Sequence, residues 1–177
     1  YVIDNTIDDF HIEGLNNLSN NKSYLFISNH RDITLDSALL NYVLHTNNLR
    51  TTFNAVGNNL LSEKWASDLL RLNKSFIIDR SDKSKRDIYK SLNLASEFMF
   101  NTIVNNNESI WIAQKQGRSK DGIDFTDPSV LKMIHLNGRK KQPLSNYLNN
   151  LNVVPISISY EKDPNDIVKA RELYLTD

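Results

Sequence analysis

The chain has 177 residues, which suits one domain, and 40% of them are hydrophobic, which is enough to build a core. Its 21 Lys and Arg residues balance 21 Asp and Glu residues, so no overall basic field favours a nucleic-acid partner. The absence of cysteine excludes disulfides, Cys-ligated metals and a cysteine nucleophile. We expect a single domain over residues 1–177 and, because the chain begins with Tyr1, a fragment of a longer protein.

Strands and helices are predicted to alternate along the chain. In order, the pattern predicts a strand at 24–28, a helix at 37–45, a strand at 51–56 and a helix at 60–72. A strand at 75–78, a long helix at 86–104 and strands at 109–113 and 152–159 follow. This alternation is typical of an α/β fold with a mostly parallel central sheet flanked by helices. No apolar run reaches the roughly 18 residues that a membrane helix needs.

The first candidate site follows the strand at 24–28 and consists of His30, Asp32 and Asp36. A histidine held by a carboxylate on one ring nitrogen can take a proton from a hydroxyl with the other. The alternative is that Asp36 caps the next helix and that His30 is an ordinary loop residue. Taken alone, the spacing favours this alternative, because a His near an Asp is common.

Two further blocks place cations directly after predicted strands. Arg80 follows the strand at 75–78, where a guanidinium can hold a phosphate, although a surface ion pair is the alternative. The strand at 109–113 leads into Lys115, Gln116, Gly117, Arg118, Ser119 and Lys120. Glycine lets the backbone approach an anion and the cations neutralise it, whereas the alternative is a solvated charged turn. A fourth block, Val154-Pro155, indicates a structural strand shaped by its proline.

The order of the four blocks resembles that of the phospholipid/glycerol acyltransferase family, of the lysophosphatidic-acid acyltransferase type. Its members carry Asn-His with Asp five residues after the His, then Phe-Ile-x-Arg, Pro-Glu-Gly-Thr-Arg-Ser and a Val-Pro strand. The counterparts here are Asn29-His30 with Asp36, Phe76 to Arg80, Gln116 to Ser119, and Val154-Pro155. The resemblance covers residues 24–160 and implies a glycerol-phosphate acyltransferase-like α/β domain.

Two departures from the family pattern indicate a divergent branch. Asp36 lies six residues after His30, so either the loop carries an extra residue or Asp32 takes the partner role. Gln116 replaces the family's Glu, and the block is shortened. A catalytically inactive lipid- or phosphate-binding member of the same fold is therefore the alternative to an enzyme. His30-Arg31-Asp32 also resembles the catalytic loop of protein kinases, but Ser37 stands where that loop needs Asn.

The resemblance implies transfer of a fatty acyl group from acyl-CoA or acyl carrier protein to a glycerol phosphate or lysophospholipid hydroxyl, in phospholipid synthesis. His30 would be the base and Asp36, or alternatively Asp32, would orient it. The acceptor phosphate would be bound by Arg80, Lys115, Gln116, Gly117, Arg118 and Ser119. No metal, cofactor or nucleic acid is implied.

The lipid substrates imply work at the cytoplasmic face of a membrane. The protein would be peripheral there, or anchored by residues outside this chain. Residues 138–141 could meet anionic head groups, although a solvated loop is the favoured interpretation of this basic segment.

Overall fold

The computed structural model describes residues 2–58, 64–79 and 84–175. Within these ranges the strands are β1 (Leu25–Ser28), β2 (Phe53–Gly57), β3 (Ser75–Ile78), β4 (Ile110–Ala113) and β5 (Val153–Ile156). The helices are α1 (Val2–Thr6), α2 (Leu35–Thr46), α3 (Lys64–Leu72), α4 (Lys85–Phe100), α5 (Pro128–Ile134), α6 (Leu144–Asn150) and α7 (Asp166–Tyr174). Leu15–Asn17 forms a 3-10 turn, and Asn101–Asn105 continues α4 as a π-helical turn.

The described strands form one parallel sheet in the order β3-β2-β4-β1-β5. β1 lies between β4 and β5, with Leu25 opposite both Ile110 and Val153. Because parallel strands end at the same edge of a sheet, the loops that follow β1 and β4 lie side by side. The predicted α/β fold with a parallel central sheet is confirmed.

Helices cover both faces of the sheet, because successive side chains of each strand point to opposite sides. On one face, Leu25 and Ile110 belong to a core cluster with residues of α4, α5 and α6. On the other face, Phe26 and Trp111 pack with Leu44 of α2. Burying an apolar side chain of this size contributes about 1.5–3 kcal/mol to stability, so the two clusters hold β1 and β4 rigidly at the centre.

The predicted strands and the predicted long helix agree with the structure apart from their ends. The expected apolar face of α4 is buried at Ala95 and Met99, and Ile103 is buried in the π-helical turn. β5 is shorter than the predicted strand at 152–159. The helix predicted at 60–72 is observed from Lys64, and its first four residues lie outside the described part of the chain.

Helices α5, α6 and α7 were not predicted. The first two have seven residues each, which is too short for a clear apolar period. Among the described helices, none is long and apolar enough to cross a bilayer.

Candidate active site

β1 delivers the candidate base to the carboxyl edge of the sheet. His30 lies two residues beyond the end of β1, and its Nδ1 is 3.0 Å from Oδ2 of Asp36. Asp36 is completely buried in the first turn of α2. The backbone N–H groups of Arg31 and Asp32 donate to the same oxygen at 2.8 and 3.0 Å. A carboxylate supported in this way fixes the proton on Nδ1 and leaves Nε2 to accept one.

Asp32 has a different environment. Its Oδ1 accepts hydrogen bonds from the backbone N–H groups of Thr34 and Leu35, at 2.9 and 2.8 Å, where α2 begins. Its Oδ2 accepts from the side chain of Asn165. The loop therefore accommodates the extra residue, and it is Asp36 that lies against His30.

The loop after β4 is fastened to the loop after β1. The N–H of Gln114 donates to the carbonyl of Ser28 at 2.7 Å, and the N–H of Ser119 donates to the carbonyl of His30 at 2.8 Å. Ser119 is buried and its hydroxyl donates to the carbonyl of Ile123 at 2.9 Å. Ser119 thus organises the loop. The other predicted phosphate ligands of this loop, Lys115 to Arg118, are not buried.

A cleft of about 340 Å³ opens above these two loops, within the range of small-molecule sites. His30 lines it together with five residues of the β4 loop, which are Lys115, Gln116, Gly117, Arg118 and Lys120. Most of the other lining residues are apolar, and we call this set the apolar wall: Ile33, Ala55, Val56, Ile78, Ile112, Ala113 and Val130. The cleft therefore joins a base, a cationic side and an apolar side.

Two cations of the cleft converge on one carboxylate. Glu172 of α7 also lines the cleft, with Oε1 3.2 Å from a guanidinium nitrogen of Arg118 and Oε2 3.1 Å from Nζ of Lys120. An anion at this point is thus within reach of both cations. Lys115 lies nearer the start of the loop, with its Nζ 4.9 Å from the ring centre of Phe125.

The loop between β4 and α5, residues 114–127, carries the cations of the cleft, and we call it the cationic loop. Gly117 shapes this loop. Its φ of 75° lies in the left-handed region, which glycine adopts without strain. A Cβ at this position would have no neighbour within 4 Å. The backbone conformation, not crowding, is therefore what favours glycine here.

Contacts from the distant end of the chain were missed by the sequence analysis. The side chain of Asn29 donates to the carbonyl of Ile158 and accepts from its N–H, both at 2.8 Å, as a neighbouring strand would. Tyr160, two residues later, donates its hydroxyl to Oδ1 of Asp36 at 3.1 Å. Burial and the nearby Asp36 charge raise the pKa of Tyr160, so it remains a donor. The buried Lys169 of α7 donates to the carbonyl of Arg31 at 2.6 Å.

The predicted phosphate ligand Arg80 lies outside the described residues. The chain reaches the cleft shortly before it, because Ile78 at the end of β3 lines the apolar wall. Asp79 accepts a hydrogen bond of 3.1 Å from the side chain of Asn58, which also lines the cleft.

Comparison with known proteins supports the family resemblance. No curated protein sequence matches the chain. The model of the Acyltransferase family matches residues 9–158, which include all five described strands, the His30 loop and the cationic loop. The chain therefore belongs to this family of glycerolipid acyltransferases, which includes the lysophosphatidic-acid acyltransferases.

Proposed function

We propose that the protein transfers a fatty acyl group from a thioester donor to the hydroxyl of a glycerol phosphate or lysophospholipid, in phospholipid synthesis. The observation that carries this proposal is the His30–Asp36 pair on the same cleft as Arg118 and Lys120. Acyl transfer needs a base for the hydroxyl, and a phosphate-bearing acceptor needs cations nearby.

In the proposed reaction Nε2 of His30 removes the proton of the acceptor hydroxyl. The oxygen attacks the thioester carbonyl, a carbon–oxygen bond forms and the carbon–sulfur bond breaks. The proton held by His30 then passes to the leaving thiolate, so that a thiol is released. Asp36 stabilises the imidazolium between these steps, which is the part that a buried carboxylate plays beside a histidine base.

Arg118 and Lys120 are proposed to bind the acceptor phosphate, with Lys115 and Arg80 as further cations. The convergence of Arg118 and Lys120 on Glu172 supports this role, because a phosphate could take the place of the Glu172 carboxylate. The guanidinium suits paired hydrogen bonds to phosphate oxygens. Holding the phosphate fixes the hydroxyl near His30, and such positioning is a large part of catalysis.

The apolar wall of the cleft is proposed to hold the acyl chain, delivered by acyl-CoA or acyl carrier protein. We place the reaction at the cytoplasmic face of a membrane, where the protein would be peripheral or anchored by residues outside this chain. Ile123 and Phe125, which are 64% and 61% exposed, lie on the cationic loop and support contact with a lipid surface. In residues 138–141, Arg139 is exposed, and its guanidinium carbon lies 5.6 Å from the ring centre of Tyr89.

Replacing the base tests the proposal. We expect His30→Ala to lower acyl transfer from labelled acyl-CoA to lysophosphatidic acid by about 10²–10⁴-fold, the usual contribution of a general base. His45→Ala, at an exposed position near the end of α2, is the matched control and should retain activity. Circular dichroism would verify that both variants fold.

Two outcomes would contradict the proposal. Near wild-type turnover by His30→Ala would exclude His30 as the base. A folded wild-type protein that binds lysophosphatidic acid but transfers no acyl group, from either donor, would instead be a lipid-binding member of the family.

A further inference from the structure

The buried carboxylate of Asp36 is held from both sides. Its Oδ2 receives Nδ1 of His30 and the backbone N–H groups of Arg31 and Asp32. Its Oδ1 receives the hydroxyl of Tyr160, which comes from a segment 124 residues later in the chain. Hydrogen bonds to both oxygens fix the rotation of the carboxylate, and that rotation decides where Oδ2 meets the imidazole.

The position of Tyr160 follows from the neighbour of His30. Asn29 pairs with the backbone of Ile158 through two hydrogen bonds of 2.8 Å, although β5 has already ended at Ile156. The side chain of Asn29 thus pairs with Ile158 as the backbone of a neighbouring strand would, and this pairing positions the segment that leads to Tyr160. The loop that contains His30 therefore also positions the segment that contains Tyr160.

We propose that Tyr160 is a positioning residue of the acyltransferase, which acts through Asp36 to fix the orientation and the proton affinity of His30. This inference rests on the proposed role of His30 as the base. A donor to the carboxylate withdraws part of its negative charge and so weakens its hold on the imidazolium. Tyr160 thereby keeps the pair ready to release its proton to the leaving thiolate.

Other charged groups surround the pair and stay unchanged when the phenol is altered. Arg31 and Asp32 belong to the same loop, and Asp163 and Lys169 come from the segment around the start of α7. Glu172 and the cations of the cationic loop line the same cleft as His30. A Tyr160→Phe variant removes one hydroxyl and no charge, so a change in titration reports on that hydrogen bond.

Tyr160→Phe is expected to lower kcat about tenfold, with both KM values little changed, the effect of one hydrogen bond to a charged group. The acid limb of the kcat/KM profile should move up by about one pH unit. The sign follows because a carboxylate that has lost a donor makes the His30–Asp36 pair bind its proton more tightly. The control is Tyr147→Phe, which removes a buried hydroxyl from α6 and should leave the profile unchanged.

A purely structural role for Tyr160 would lower the melting temperature without moving the acid limb, and that result would overturn the inference. An unchanged kcat and pH profile would do the same. An NMR titration of the His30 ring protons in both proteins provides a readout that is independent of turnover. A higher midpoint in Tyr160→Phe supports the inference even if the proposed acceptor is wrong, and an identical midpoint refutes it.

Discussion

Glu172 gives a prediction whose sign is unusual for a residue in a binding cleft. Its carboxylate lies between the two cations that are proposed to bind the acceptor phosphate. Acceptor binding must then replace two ion pairs within the protein. Glu172→Gln removes the competing charge and keeps the size of the side chain, so we expect tighter binding of the acceptor.

The magnitude follows from how exposed the three side chains are. Glu172 and Lys120 are 36% and 39% exposed and Arg118 is 15% exposed, so solvent screens both ion pairs. Such pairs contribute about 0.2–1 kcal/mol each. The loss of both pairs should favour phosphate binding by about 0.4–2 kcal/mol, which corresponds to an acceptor KM that is about two- to thirtyfold lower.

The assay is steady-state kinetics in which lysophosphatidic acid and a neutral monoacylglycerol are varied in turn. KM should fall for the phosphate-bearing acceptor alone, because a neutral acceptor does not compete with the carboxylate. Glu97→Gln, which removes an exposed carboxylate from α4 outside the cleft, controls for net charge. A raised acceptor KM in Glu172→Gln would show that the carboxylate orients the cations, and it would refute the idea that the two anions compete.

Replacing the two carboxylates near His30 should have different effects on activity. Asp36→Asn should lower kcat/KM by about 10²-fold or more, because general-base catalysis depends on the contact of Asp36 with the imidazole of His30. Asp32→Asn should keep most activity, since its amide oxygen can still accept the bonds that begin α2; the reverse ranking in a kinetic assay would assign the role to Asp32. Gly138→Ala should lower stability by about 1–3 kcal/mol, because its Cβ would lie 2.2 Å from ring atoms of the buried Tyr147. Thermal unfolding measures this effect, and an unchanged melting temperature would contradict it.

Local patterns were sufficient to predict the sheet and the two loops that meet at the cleft. β1 and β4 are short apolar runs whose ends carry conspicuous polar residues, and parallel pairing brings such ends together. The partner of His30 was left open between Asp32 and Asp36, because counting residues does not show how a loop turns. In the structure, Nδ1 of His30 lies against Oδ2 of Asp36, whereas Asp32 accepts the N–H groups at the start of α2, and no sequence pattern displays this course of the loop.

The contributions of Tyr160 and Glu172 could not be predicted from the sequence. Both depend on contacts across more than 50 residues, and the residues themselves stand in ordinary polar surroundings along the chain. The predicted strand before Tyr160 was interpreted as structural in preference to catalytic, and α7 was not predicted. The family match also ends at residue 158, before both of them.

The site combines the His30 loop with residues that are far away in sequence, and this separation has a consequence for folding. His30 and Asp36 are neighbours in the chain, but Tyr160 and Lys169 reach their loop from 124 to 138 residues away. Contacts of such high sequence separation form late, because a long stretch of chain must be ordered before they gain anything. During refolding of a Trp65→Phe variant, in which Trp111 is the remaining tryptophan, the fluorescence of this buried side chain should therefore recover before acyl transfer does. Enzymatic activity would then report the last step of folding, in which Tyr160 and Lys169 contact the His30 loop and fix the position of the base.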